Sequence, residues 1–244
     1  MADTHFLVTS TGKSCPWARQ CITSVANQDY DPGLFQHEYW AADRGTYAIA
    51  KSVPVAKRPL VICSPAPVVC NVYSTWRYLP PMTVIVWVDG DDWLYHSRVL
   101  TRLNEIYQDD DVWMTYGSFM WSRHPGWNTD HFGSPYPRPF SPRTDVWRAS
   151  HLKTFRAGLM QKIKKQDLML PDGSFGNFCT DRIFMLPMLE MCGPEHYRAI
   201  PEILSVYNFG SSWSFNAKNQ EEDIKERDRV HALPCYSRLS ERPF

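Results

Sequence analysis

The run Val84-Ile85-Val86-Trp87-Val88 leads directly into Asp89-Gly90-Asp91-Asp92-Trp93, so an apolar stretch ends in three carboxylates within four residues. Side chains two apart on an extended strand point the same way, which lets Asp89 and Asp91 face one site while Gly90 allows a ligand close to the backbone. Hard divalent cations take oxygen ligands, and magnesium uses one or two protein carboxylates plus substrate phosphates and water. The chemistry on offer is retention of a metal-bound nucleoside diphosphate by Mg2+ or Mn2+, the ion neutralising charge on a departing diphosphate. An Asp-x-Asp also occurs in ordinary turns; the apolar strand before it and the Asp92-Trp93 pair after it set this one apart.

The elements that must position this cluster alternate. Phe6-Leu7-Val8 reads as a strand leading into the polar loop Thr9-Ser10-Thr11-Gly12, and a helix from Ser14 or Pro16 to about Gln28 carries Trp17, Cys21 and Val25 on one face. A second strand, Phe35 to Ala41, precedes Asp43, which is a ligand candidate or a loop or helix-cap aspartate. A helix from Thr46, a strand at Pro59–Cys63 and a helix from Val69 to Leu79, stopped by Pro80-Pro81, lead to the Thr83–Val88 strand. This order predicts an α/β fold with a mostly parallel central sheet flanked by helices. The Thr9, Asp43 and Asp89 loops then share one sheet edge, where ligands bind in open α/β sheets.

Beyond the cluster, Ser97–Tyr107 reads as an amphipathic helix and Asp109-Asp110-Asp111 as a solvated turn. Val112–Tyr116 is a strand, and Gly117 to Pro142 is an irregular stretch of about 25 residues, longer than an ordinary connection and suited to a lid or binding loop. A helical second half is expected from Arg148 to about Lys165 and again from Asp181 to Met191. Ile200–Tyr207 follows as a last strand, and Gln220 to Arg229 as a charged helix lying on the surface. The 244 residues fit one domain: a nucleotide-binding half at 1–95, an acceptor-binding half at 96–219 and a C-terminal tail at 220–244.

Lysine plus arginine and aspartate plus glutamate both number 26, so no overall field draws the chain to nucleic acid or an anionic membrane, and phosphate must be handled locally. The seven cysteines show no CxxC pair or metal-ligand spacing and read as buried small side chains in a reducing compartment. Neither a signal peptide nor a run of about 18 apolar residues is evident, so a cytoplasmic protein without a transmembrane segment is expected.

Val-Trp-Val-Asp-Gly-Asp-Asp-Trp-Leu resembles the Asp-x-Asp strand end of family 2 glycosyltransferases of the GT-A fold. Cys21-Ile22-Thr23-Ser24-Val25-Ala26-Asn27-Gln28-Asp29-Tyr30 is similar to the end of that family's first helix. The blocks Val112–Ser118, His151–Arg156 and Thr180-Asp181 through Tyr207-Asn208 follow in the family's order, so the resemblance covers nearly the whole chain. It implies a metal-dependent inverting glycosyltransferase that moves a sugar from a nucleotide-sugar donor to a saccharide or other hydroxyl-bearing acceptor. By position, Asp91 and Asp89 would hold the metal, Asp89 through an outer-sphere water or in contact with the ribose, and Asp92 would reach the donor sugar or the metal's surroundings. Thr9 and Thr11 would touch the nucleoside, Asp43 the base and Asn71 the diphosphate. Asp181 would be the general base, against the plainer alternative of a helix-start carboxylate favoured by the dipole. Trp121, Trp127, His151 and Arg156 would line the acceptor side, with His196 and His231 as weaker metal-ligand candidates.

The chain departs from the family in having only Asp43 after the second strand, in reducing the usual arginine-asparagine to Asn71, and in placing Thr180 before the expected base. Two other readings compete: a metal-dependent nucleotidyltransferase or phosphohydrolase, and a non-catalytic sugar-binding module on the same fold. An aspartate-nucleophile phosphatase would want its Asp-x-Asp early in the chain and a small β-branched residue where Trp93 stands.

Overall fold

The computed structural model describes residues 3–122, 132–208 and 219–244. The first half alternates β1 (Phe6–Gly12), α1 (Ala18–Ala26), β2 (Phe35–Ala41), α2 (Arg44–Lys51), β3 (Leu60–Cys63), α3 (Val68–Trp76) and β4 (Val84–Asp89). The second half contains β5 (Trp93–Leu94), α4 (Val99–Tyr107), β6 (Met114–Trp121), β7 (Lys153–Arg156), α5 (Ala157–Met160), α6 (Thr180–Cys192), β8 (Tyr197–Tyr207) and α7 (Gln220–Ala232). They form one eight-stranded sheet in the order β3-β2-β1-β4-β7-β6-β8-β5. Pairing is parallel from β3 through β2 and β1 to β4 and again between β6 and β8, while β7 is antiparallel to both its neighbours and β5 to β8.

β4 is buried on both faces, as a central strand in a two-sided sheet must be, and its side chains sort by parity. Val84, Val86 and Val88 join one apolar layer with Phe6, Val8, Ile22 and Leu100. Ile85 and Trp87 join the other, with Trp76 of α3, Phe155 of β7 and Phe184 of α6. Trp76 sits edge-on to Trp87, Phe155 and Phe184 at centroid distances of 5.4, 5.3 and 5.3 Å, the aromatic hub under the carboxylate end of the strand. Asp89 has the parity of Ile85 and Trp87, so β4 delivers it on the α6 side of the sheet.

Three sequence expectations change. Strand β1 runs on through Gly12, taking Thr9 into the ladder opposite Trp87 and leaving Thr11 opposite Asp89 at the edge. The helix expected from Arg148 to Lys165 is instead strand β7 followed by the four-residue α5. A segment this short carries no decisive period, and the gap between β4 and β6 selects extended backbone there. The C-terminal α7 is more than a surface helix: it buries Val230 in the core and Glu226 against the chain entering α6. The irregular stretch lies partly in β6, and residues 123–131 of it are outside the described residues.

Candidate active site

The carboxyl ends of β1, β2 and β4, the start of α6 and one face of α7 enclose a cavity of about 800 Å³. Its walls include Thr11, Asn71, Asp89, Asp91, Asp92, His151 and Asp181. The Asp89 cluster and Asp181, far apart in sequence, thus face the same space. Such a volume falls in the range that holds a small ligand or cofactor.

Antiparallel pairing builds the centre of this site. Trp87 pairs with Lys153 and Ile85 with Phe155, so the chain just before β7 brings His151 beside the end of β4. His151 Nε2 lies 3.9 Å from Asp89 Oδ2, and its Nδ1 lies 3.8 Å from Asp92 Oδ2. Among the described residues, Asp89, Asp92 and His151 form the one group whose ligand atoms converge within 4.8 Å. Ligands on a single six-coordinate ion with ~2.1 Å bonds lie about 3–4 Å apart, close to this spacing. Asp92 is buried; its Oδ1 accepts the Asn208 amide at 2.9 Å, and its Oδ2 has no hydrogen-bond partner among the described residues. Burial, and then the Asp89 and Asp91 charges, push the Asp92 carboxyl well above the usual range. A divalent cation would supply the missing partner and reverse that charge balance. Two carboxylates and an imidazole form a donor set that suits manganese better than magnesium, which prefers oxygen donors alone, so the residues fit a divalent ion.

Asp181 stands in the first turn of α6. Its Oδ1 accepts a 2.7 Å hydrogen bond from Lys153 Nζ, and the Lys153 side chain is fully buried with its ammonium 4.8 Å above the Trp87 ring. Lys153 and Trp87 are cross-strand neighbours on the face that α6 covers, which is why a strand lysine meets a helix aspartate. Burial would raise the Asp181 carboxyl, but the Lys153 ammonium outweighs it and holds the group below its ordinary value. For Lys153, burial works against the charged form, and the Asp181, Asp89 and Asp92 carboxylates reverse the balance and raise it.

The other predicted site residues divide. Thr11 and Asn71 line the cavity, and Asn71 also braces its wall, accepting from Ser64 Oγ at 2.8 Å and donating to Ala66 O at 3.0 Å. Thr9 does not line it: the side chain is buried one pleat deeper and its Oγ1 accepts the Trp76 indole N–H at 3.0 Å. Asp43 caps α2, its carboxylate accepting from Thr46 N, Thr46 Oγ1 and Ser14 N at 2.8, 2.8 and 2.6 Å. Slight burial acts to raise its carboxyl, but these donors win and lower it. Its oxygens are thus committed to folding the Ser14 loop, which lines the cavity while Asp43 itself does not.

Arg156 lies at the far end of β7, opposite Val84, because an antiparallel strand that starts at the site must leave from it. It donates to Met82 O and Tyr107 O and is sandwiched by the Tyr107 and Phe244 rings, so its expected place on the acceptor side is not where the fold puts it. Trp121 ends β6 and packs 4.9 Å from Tyr207, which itself lines the cavity. Trp127 lies outside the described residues. His196 stacks on Trp113 at 3.9 Å, and His231 contacts Arg182 and Arg143 O; neither belongs to the Asp89–Asp92–His151 group. Gly90 is needed for packing, since a Cβ there would sit 2.6 Å from both Thr11 O and the Tyr39 hydroxyl.

Sequence reasoning missed Lys153 and the α7 wall. A strand reading of Lys153-Thr154-Phe155-Arg156 would have put Lys153 on Phe155's buried face and marked it as a lysine in need of a carboxylate. The wall is formed by Asp223 and Arg227 of α7 together with Arg182, whose guanidinium lies 4.7 Å over the Trp147 ring. Polar residues dominate α7 and give its sequence little amphipathic signal.

No protein-family model matches the sequence, and no curated protein matches it significantly. The three-dimensional comparison does find similar structures. The structure of Staphylococcus aureus TarS residues 1–349 in complex with UDP superposes with a TM-score of 0.62 at 13% identity, covering 94% of this chain and 64% of that one. The mannosyltransferase PcManGT from Pyrobaculum calidifontis, in complex with GDP-Man and Mn2+, gives a TM-score of 0.61 at 11% identity, covering 96% and 66%. The fold is that of these glycosyltransferases. The chain spans 41% of the longer TarS structure, which it matches with a TM-score of 0.57. Among the described residues no helix is long and apolar enough to cross a membrane.

Proposed function

We propose that the chain is a family 2-like, metal-dependent inverting glycosyltransferase that moves a sugar from a nucleoside-diphosphate donor to a hydroxyl acceptor. The observation that carries this reading is that the Asp89–Asp92–His151 cluster and the Lys153-paired Asp181 line one cavity. A cation site and a candidate base facing one space are the two parts that glycosyl transfer from a diphosphate requires.

Asp89, Asp92 and His151 would hold a divalent ion, with Asp91 on the cavity wall beside them. When bound, the ion supplies positive charge against the diphosphate as it leaves. Asp181 accepts the proton of the acceptor hydroxyl as that oxygen attacks the anomeric carbon. The bond to the diphosphate breaks on the opposite face, so the anomeric centre inverts and no covalent sugar–enzyme bond forms. Lys153 keeps Asp181 ionised, the form that can take a proton. Thr11 and Asn71 border the nucleotide side, and Trp147 with Arg182 the acceptor side.

UDP- and GDP-sugars are the first donors to test, because TarS and PcManGT are seen with UDP and GDP-Man. The expected result is Mn2+- or Mg2+-dependent hydrolysis of one nucleotide-sugar without acceptor. Asp89→Asn and His151→Ala, which remove two of the three ligands, should each lower that turnover by roughly 100-fold or more, with the melting temperature preserved. Undiminished turnover in both variants, or donor turnover indifferent to chelation, would overturn the proposal.

A further inference from the structure

Lys153 is fully buried and does not itself line the site cavity, yet it sits directly behind Asp181, which does. A lysine ammonium placed in a protein interior needs compensation, and an apolar side chain would pack against Trp87 and Phe155 at lower cost. What Lys153 has instead is a 2.7 Å bond to Asp181 Oδ1 and a seat 4.8 Å over the Trp87 ring, on the face of β4 that also presents Asp89. Four carboxylates, Asp89, Asp91, Asp92 and Asp181, share this cavity, and Lys153 is bonded to Asp181 among them.

We propose that Lys153 is a positioning residue serving both halves of the site: it fixes Asp181 for proton acceptance and, as a resident positive charge, weakens the grip of the Asp89–Asp92–His151 cluster on its divalent ion. The second role follows from simple electrostatics. A cluster with this many carboxylates would hold a divalent ion tightly whether or not a diphosphate were present. A fixed positive charge beside it lowers the intrinsic affinity, so that firm metal binding comes to depend on the donor's own phosphates. The inference rests on the metal-dependent reading of the site given above.

The test compares Lys153→Met, which keeps an unbranched side chain one atom shorter and removes the charge, with Lys153→Arg, which keeps the charge. Mn2+ alone is titrated into each full-length protein by calorimetry, and donor hydrolysis is measured in parallel. Lys153→Met is expected to bind Mn2+ on the order of tenfold more tightly, the scale of removing one unit charge near a divalent ion behind partial solvent screening. Its kcat should fall roughly 10–100-fold, because Asp181 loses its anchor. Lys153→Arg should keep near wild-type Mn2+ affinity. A merely structural lysine gives no reason for metal affinity to rise as activity falls.

Unchanged or weaker Mn2+ binding in Lys153→Met, or the same affinity change in both variants, would overturn the inference. Absence of Mn2+ binding in the wild type would instead overturn the metal-dependent reading beneath it. Should Lys153→Met fail to fold, Lys153→Met/Asp181→Asn leaves no unpaired buried charge. Relative to Asp181→Asn alone it is expected to bind Mn2+ about tenfold more tightly, and equal affinity would refute the role of Lys153.

Discussion

Replacing Glu226 by alanine tests whether the C-terminal helix holds the start of α6, and with it Asp181, in place. Glu226 is 7% exposed, and its carboxylate accepts the backbone amides of Asn177 and Phe178, with all three contacts at 3.1 Å. Those amides lie just ahead of α6, in a segment from Asn177 to Arg182 that lines the cavity throughout. Losing a charged acceptor leaves each N–H with a desolvation cost of about 1–3 kcal/mol, and because Asn177 and Phe178 are only partly buried, water recovers part of it. The expected loss is about 2–4 kcal/mol, a large share of the 5–15 kcal/mol typical of a domain. With a urea slope of about 2–3 kcal/mol per molar, the unfolding midpoint should fall by about 0.7–2 M. Glu226→Gln keeps one acceptor oxygen and should lose about half as much. Donor hydrolysis below the transition should drop about tenfold in kcat, because a displacement near 1 Å at a reacting group costs that much or more. An unchanged midpoint would refute the hydrogen-bonded tie, and a lowered midpoint with intact kcat would refute its link to Asp181.

His37 makes the fold acid-sensitive. It is buried in β2, in contact with Ser10 Oγ at 3.0 Å, and burial lowers its pKa from 6.5 to about 3. Between those values the unfolded chain binds the proton and the folded one does not, so stability falls as pH drops through that window. The cost at pH 5 relative to neutral pH is about 2 kcal/mol, and His37→Gln should remove that part of the pH dependence in denaturant titrations; an unaltered slope would refute the assignment. For Asp43→Ala, losing the α2 cap should cost about 1–2 kcal/mol by the same assay. The preference between UDP- and GDP-sugars should stay as it is, because the carboxylate is engaged with Thr46 and Ser14; a switch in preference would make Asp43 a base reader after all.

The first half of the fold was legible because most of its elements are long enough to show a period and the short β3 is an unbroken apolar run, Leu60–Cys63, between prolines. β4 stands out as an apolar run because it is buried on both faces, and its abrupt end in aspartates marks the sheet edge. Asp181 was reached through resemblance, since nothing local separates it from any helix-start carboxylate. The strand β7 was misread as helix because Lys153-Thr154-Phe155-Arg156 is too short to choose between periods of 2 and 3.6, and that error carried Arg156 to the wrong end of the molecule. Thr9 was misplaced because β1 runs four residues past Val8, to Gly12, which moves the Thr9 hydroxyl from the edge to the core.

By itself the sequence determined that an α/β sheet would bring the ends of β1, β2 and β4 to one edge and set three aspartates there, since burial periodicity and turn residues act over a few neighbouring positions. Only the tertiary structure decided what stands opposite them. Antiparallel insertion of β7 brings His151 to Asp89 and Asp92 and turns Lys153 toward Asp181, and the docking of α7 through Glu226 closes the cavity wall. Those pairings join residues tens of positions apart, and their energies come from filling a gap between strands and satisfying a buried charge, neither of which exists until the chain has folded.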